Sequence, residues 1–227
     1  MTKKAPPLLY VFCIVFALIL IADAAIHVIR FGFYDIINIF WFCNFATLVF
    51  IIGVIFKIKE IPFAVLAAAV PAQFFWIVDF LIELFGQGMG RTTHLFELDI
   101  ALFGLSVALH AMLIPVSLWA SFKFGFYKRS IFITIVIFIF FLLGFTYFIS
   151  DDMNNLNCMK YPCDLSLEED TDTIMNNDSY FTPDYALKRM GGFLAFELGL
   201  LMIYPFLARF ANRRYRQKPL FAKQLFN

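Results

Sequence analysis

A thiol and an imidazole occur inside long apolar segments of the sequence, where polar side chains are costly and usually functional. Cys43 lies in the stretch FWFCNFATLVF, and His110 lies in the stretch LSVALHAMLIP. A cysteine becomes an effective nucleophile when a histidine accepts its proton and a third group orients the imidazole ring. We therefore consider Cys43 and His110 as a candidate nucleophile and base for acyl chemistry.

Further polar side chains in the neighbouring apolar segments could complete such a site. Asn44 or Gln73 would hold the histidine ring or donate a hydrogen bond to a developing oxyanion. Asp79 or Asp99 would raise the basicity of the histidine. The predicted catalytic set is therefore Cys43 and His110, supported by Asn44, Gln73 and Asp79.

The depth of the two reactive groups leaves an alternative nucleophile open. Counted along ideal straight helices, His110 lies about 8 Å deeper than Cys43. Thr47, one helical turn beyond Cys43 and on the same face, is nearly as deep as His110. The face of Cys43 and Thr47 is predicted to meet the face of Gln73 and Trp76 on the next helix.

A metal site is the second chemical hypothesis, because three histidines and an aspartate can bind zinc and activate water. The histidines are His27, His94 and His110. His94 and His110 are sixteen residues apart, about 24 Å along one helix, so they cannot bind the same ion unless that helix breaks. We expect no metal and no cofactor. No glycine-rich phosphate loop or nucleotide-binding signature occurs in the sequence.

The elements that position these residues are predicted to be membrane-spanning helices. The chain of 227 residues is 62% hydrophobic, which excludes an ordinary water-soluble domain. Its apolar runs are long enough to cross a hydrocarbon core of about 30 Å and lack the alternation of barrel strands. We predict an all-α, polytopic membrane protein, one membrane domain over 1–227, with six transmembrane helices at 8–29, 36–56, 62–85, 98–120, 131–149 and 193–210.

Charge predicts the orientation of these helices. Thirteen of the 18 lysines and arginines fall in the two termini and in alternate connections, so both termini are predicted to be cytoplasmic. The connection 150–192 is then an extracytoplasmic loop that holds nine of the 17 acidic residues. The basic tail 211–227 is expected to contact anionic lipid headgroups. Membrane lipids are thus the expected partners, and nucleic acid is not.

Two cysteines in the acidic loop, Cys158 and Cys163, are expected to form a small disulfide loop in an oxidising compartment. Inside the predicted spans, the polar side chains gather toward the extracytoplasmic half, whereas the cytoplasmic half is almost entirely apolar. The predicted site is therefore an outward-facing polar chamber.

Three short motifs resemble those of known six-helix membrane proteins. WFCNFA, QFFWIVD and HAMLIP, in the second to fourth predicted spans, resemble the arrangement in androgen-induced fatty-acid-ester hydrolases and in YwaF-like proteins with their ether-phospholipid acyltransferase relatives. The resemblance covers roughly residues 41–115. It implies lipid-ester hydrolysis or acyl transfer, with Cys43 in the nucleophile position and His110 in that of the base. This sequence has cysteine where the hydrolases have threonine, and no histidine precedes its Cys-Asn pair as in many YwaF-like chains.

A non-enzymatic function is the alternative. Acidic residues in an outward chamber are typical of proton-coupled carriers, but the apolar inner half offers no matching path for transport. The same polar chamber also fits a protein that binds a lipid or another small molecule without chemistry.

Overall fold

The regular secondary structure in the described part of the chain is entirely helical. The computed structural model describes residues 6–86, 100–149 and 183–216, and no strand occurs among them. Six helices cross the fold: α1 Pro7–Phe31, α2 Phe42–Ile55, α3 Ile61–Glu83, α4 Ile100–Phe124, α5 Lys128–Ile149 and α6 Pro183–Arg216. A 3₁₀ helix at Phe33–Phe40 joins α1 to α2. The predicted all-α class is confirmed for these residues.

Length and hydropathy identify the membrane-spanning helices. α1, α4 and α5 are long and apolar enough to cross a bilayer, and α3 is a fourth if its two bent halves form one span. α2 has only 14 residues, about 21 Å, because the 3₁₀ helix occupies the first part of the predicted second span. Three to four of the six predicted spans therefore meet the requirement, as expected of a membrane protein.

The surface of the bundle agrees with a lipid environment. Many large apolar side chains are exposed, and Ile29, Phe148 and Met202 are about four-fifths exposed. The surface of a water-soluble protein rarely carries so many exposed apolar side chains. Inside, aromatic rings interlock the helices. Phe42 of α2 lies 5.5 Å from the ring of Phe138 in α5 and 5.6 Å from the ring of Phe193 in α6.

Two helices depart from regular α geometry. α3 bends by 45° between Ile61–Pro71 and Trp76–Glu83, because Pro71 lacks an N–H and its ring crowds the carbonyl one turn earlier. α5 contains a π-helical section at Ile135–Leu143, in which each turn is wider than in an α-helix. The bend in α3 falls at the position of Gln73.

The last helix differs from the prediction at both ends. α6 begins at Pro183, ten residues before the predicted sixth span, so it takes in the end of the predicted acidic loop. Proline suits the start of a helix, and Asp184 in the first turn complements the helix dipole. Asp184 also pairs with Lys188 at 2.7 Å. α6 runs on to Arg216, so the basic tail begins as helix.

Several predictions from the sequence lie outside the described residues. These are most of the acidic loop, the proposed disulfide between Cys158 and Cys163, the last part of the basic tail, and the candidate residues His94 and Asp99.

The connection from α2 to α3 and the connection from α4 to α5 lie together at one end of the bundle. The Lys59 ammonium lies 4.9 Å from the centre of the Tyr127 ring. The Ser130 hydroxyl donates to the Glu60 carbonyl at 2.7 Å. Burial, together with the nearby Glu60 carboxylate, raises the pKa of Tyr127 above its usual value. We call this end, which carries Lys57, Lys59, Lys128 and Arg129, the basic end.

Two buried serines provide a matched test of the packing at the basic end. Ser130 and Ser117 are both fully buried, but of their two hydroxyls only that of Ser130 has a hydrogen-bond partner among the described residues. Ser130→Ala should lower the free energy of unfolding by about 1 kcal/mol, because a buried hydrogen bond between α5 and the start of α3 is lost. Ser117→Ala should leave it unchanged or raise it. Thermal unfolding in detergent would measure both; equal losses would show that the Ser130 contact does not stabilise the bundle.

Candidate functional site

Cys43 lies in the first turn of α2 and faces α3. The Gln73 side-chain nitrogen Nε2 donates a hydrogen bond to the Cys43 Sγ atom at 3.1 Å. Gln73 is fully buried, two residues after the proline at which α3 bends. The predicted contact between these two helix faces is confirmed. The Thr47 hydroxyl donates to the Cys43 carbonyl at 2.8 Å, within the helix.

His110 is held by its own helix and by an indole ring of α3. Its Nδ1 atom lies 2.7 Å from the Ser106 carbonyl, one turn earlier in α4. A carbonyl oxygen only accepts, so Nδ1 carries the hydrogen, and the neutral ring then has its lone pair on Nε2. The imidazole stacks on Trp76, with ring centres 3.9 Å apart and planes 13° from parallel. Trp76 stacks in turn on Phe80.

Helix α3 brings Cys43 and His110 to one face. Gln73, the partner of Cys43, and Trp76, the partner of His110, are three residues apart, about 4.5 Å along the helix axis. Among the described residues, Cys43 makes no hydrogen bond with His110. Cys43, Gln73, Trp76 and His110 therefore form a row of successive contacts, which we call the polar cluster.

The relative depth of the two reactive groups was estimated from regular helices, and one of these helices is not regular. His110 was expected about 8 Å deeper than Cys43. Along α3, Trp76, the partner of His110, follows Gln73, the partner of Cys43, by three residues and lies farther from the basic end. The estimate counted residues along two regular helices, from residue 36 to Cys43 and from residue 98 to His110. Residues Phe33–Phe40 instead form a 3₁₀ helix, which rises about 2.0 Å per residue, so the count to Cys43 does not hold.

The Asn44 side chain makes a contact with a different helix from that of its neighbour Cys43. Its Nδ2 atom donates to the Asp23 carboxylate of α1 at 3.3 Å. The same carboxylate lies 3.8 Å from the His27 ring. This contact differs from the predicted one, in which Asn44 holds the His110 ring or donates to an oxyanion. Asp23 was not in the predicted catalytic set, although its spacing of four residues from His27 was a signal that the two would meet.

Asp79 lies one turn beyond Trp76 on α3 and is fully buried. Asp79 therefore lies on the same part of α3 as Gln73 and Trp76 of the polar cluster. Its predicted alternative, Asp99, lies outside the described residues. Within residues 6–86, 100–149 and 183–216, no three side chains of His, Cys, Asp or Glu come together as ligands for one metal ion.

Three buried polar atoms have no hydrogen-bond partner in the described part of the chain. They are Gln73 Oε1, Ser117 Oγ and Glu197 Oε2. An unpaired buried acceptor costs about 1–3 kcal/mol, and most buried polar groups in proteins are paired. Gln73 differs from the other two because its nitrogen is fixed on the Cys43 thiol while its oxygen has no donor. The oxygen is a ready acceptor for a hydrogen-bond donor from a ligand.

Comparison with known proteins found no matching family, no matching curated protein and no matching solved structure. The resemblance of the three motifs to six-helix lipid hydrolases and acyltransferases therefore stays a prediction.

Proposed function

We propose that the polar cluster binds a lipid-like molecule that presents a hydroxyl or amide hydrogen to Gln73 Oε1. The observation that carries this proposal is the Gln73 amide, which is fully buried with its nitrogen on the Cys43 thiol and its oxygen unpaired in the described part of the chain. A ligand donor would satisfy that oxygen and recover the free energy that its burial costs.

The surroundings of Gln73 favour a ligand that arrives from the bilayer. The next residue, Phe74, is more than half exposed, on the apolar surface that lipid tails would contact. Cys43, which contacts Gln73, is only partly buried. A molecule with an apolar body can arrive from the bilayer, and one polar donor on it can pair with Gln73 Oε1.

The topology that accompanies this function is six membrane crossings with both termini in the cytoplasm. The connection from α2 to α3 and the connection from α4 to α5 lie together at the basic end, and positive charge favours the cytoplasmic side. Gln73 is then about 18 Å from the cytoplasmic end of α3, near the middle of the bilayer. Trp76 and Asp79 lie in the extracytoplasmic half.

Native mass spectrometry of protein purified in lipid nanodiscs tests the binding proposal. Wild-type protein should retain a bound lipid carrying a hydroxyl or amide donor after bulk lipid is stripped away. Gln73→Leu should lose it, because the acceptor is gone. Ser117→Ala removes a different unpaired buried oxygen and should keep the lipid. Equal retention by wild type and Gln73→Leu would contradict the proposal.

Acyl transfer through Cys43 is a second candidate, favoured by the donor at its sulfur. The thiol would pass its proton to His110 Nε2 and attack an ester carbonyl carbon, while Gln73 Nε2 donates to the oxyanion that forms beside the sulfur. The alcohol would leave with the proton from His110, and water or a second alcohol would then cleave the thioester. Substrate binding would have to bring Cys43 and His110 together across about one helical turn.

Labelling with a lipid-like, cysteine-directed electrophile tests this second candidate. The label should map to Cys43 in wild type, Thr47→Ala and Cys13→Ala, and should disappear in Cys43→Ala. His110→Phe keeps an aromatic ring against Trp76 but removes the base, so its labelling rate should fall by about 100-fold or more. If Cys43 were labelled at the same rate in His110→Phe as in wild type, the Cys-His mechanism would be excluded and the binding proposal would stand.

A further inference from the structure

A groove of about 330 Å³ lies on the outside of the bundle, away from the polar cluster. It is lined by Lys128, Arg129, Phe132 and Ile135 of α5 and by Leu201 of α6. The two basic side chains and the Phe132 ring are exposed. No acidic side chain is among the five lining residues.

The lining residues change from charged to apolar along the helix axis. Lys128 is the first residue of a helix long and apolar enough to cross a bilayer, so it lies where that helix enters the membrane. Phe132 is four residues further on and shares a helix face with Lys128, about 6 Å deeper. Ile135 follows one turn beyond. This order of cation first and hydrocarbon next matches the order of phosphate and acyl chain in a phospholipid.

The wall of the groove is almost entirely apolar, so Lys128 and Arg129 line it with their aliphatic stems and carry their charges at its edge. Neither Lys128 nor Arg129 forms an ion pair with another residue in the described ranges. Two cations at the edge of the groove favour a negatively charged headgroup, and its apolar wall favours a ligand with a hydrocarbon chain over a free anion.

We infer that this groove binds one anionic phospholipid, with its phosphate at Lys128 and Arg129 and an acyl chain along Phe132. This site is independent of the polar cluster. It differs in place from the predicted headgroup contact of the basic tail, since it is formed by the start of α5 and the middle of α6.

The test compares lipids retained by the full chain in nanodiscs made from equal amounts of phosphatidylglycerol and phosphatidylcholine with the same acyl chains. Native mass spectrometry after stepwise removal of lipid should show preferential retention of phosphatidylglycerol by wild type. The double variant Lys128→Gln/Arg129→Gln should reduce that preference by about 25-fold, because each basic side chain at a membrane surface contributes a factor of about five.

Three controls make the result specific. Lys57→Gln/Lys188→Gln removes the same charge outside the groove and should keep the preference. Phe132→Ala should weaken retention of the lipid but not its headgroup preference. Excess inorganic phosphate should fail to displace the lipid. Equal retention of both lipids by wild type, an equal loss in the control double variant, or complete displacement by phosphate would each overturn the inference.

Discussion

Gly53→Val should destabilise the helical bundle by about 3 kcal/mol or more, because position 53 has no room for a side chain. A Cβ atom added at Gly53 in α2 would overlap Cβ and Cγ2 of Ile61, the first residue of α3. The Ile61 Cβ is attached to the backbone and cannot swing away. The two helices are joined here by a short connection, so they would have to separate.

Two glycine controls separate steric overlap from the helix propensity that alanine adds. Gly104 and Gly144 also lie in helices, and an added Cβ would meet nothing within 4 Å at either position. Alanine at these sites should be neutral or stabilising by up to about 1 kcal/mol, because alanine favours helix over glycine. Gly53→Ala should lower the free energy of unfolding despite the same gain in helix propensity, because its Cβ overlaps Ile61.

Thermal unfolding in detergent, followed by tryptophan fluorescence, would measure these differences. Adding Ile61→Ala to Gly53→Ala should restore part of the loss, since it removes the overlapping side-chain atoms. If Gly53→Ala proved as stable as Gly104→Ala, the close approach of α2 and α3 would be wrong.

Gln73→Leu should separate stability from binding. In lipid-free detergent the variant should be as stable as wild type or more stable by up to about 2 kcal/mol. It loses a hydrogen bond to the Cys43 sulfur but also removes an unpaired buried oxygen, which costs about 1–3 kcal/mol. Functional sites often carry such a local cost to stability.

The same substitution should weaken ligand binding by about 10-fold to 100-fold, because the ligand donor would be left buried without an acceptor. In a thermal-shift titration with the lipid identified by mass spectrometry, wild type and Ser117→Ala should be stabilised equally by the lipid, and Gln73→Leu much less. Loss of stability in Gln73→Leu without lipid would mean that Gln73 is a structural residue.

The fold class was predictable because it depends on composition and length. Apolar runs of 18 or more residues leave helix as the only backbone structure that satisfies its own hydrogen bonds in hydrocarbon. The contact of Cys43 with Gln73 was also within reach, since helical spacing defines the faces that carry polar side chains.

The details that set the geometry depend on tertiary contacts and local breaks. Residues 33–40 form a 3₁₀ helix although the apolar pattern continues through them, and this shortens α2. The proline inside α3 was visible, but not that it would bend the helix by 45° beside Gln73. The direction of the Asn44 side chain toward Asp23 depends on how α1 packs against α2, which helix periodicity alone does not determine.

An experimental map of the protein in native lipids tests the central claim most directly. The account predicts a bound molecule with a donor atom within about 3.2 Å of Gln73 Oε1, while Gln73 Nε2 stays on the Cys43 sulfur and Trp76 stays stacked on His110. A map in which the Gln73 oxygen is paired with a protein group, or in which the amide turns out to the lipid tails, would contradict it.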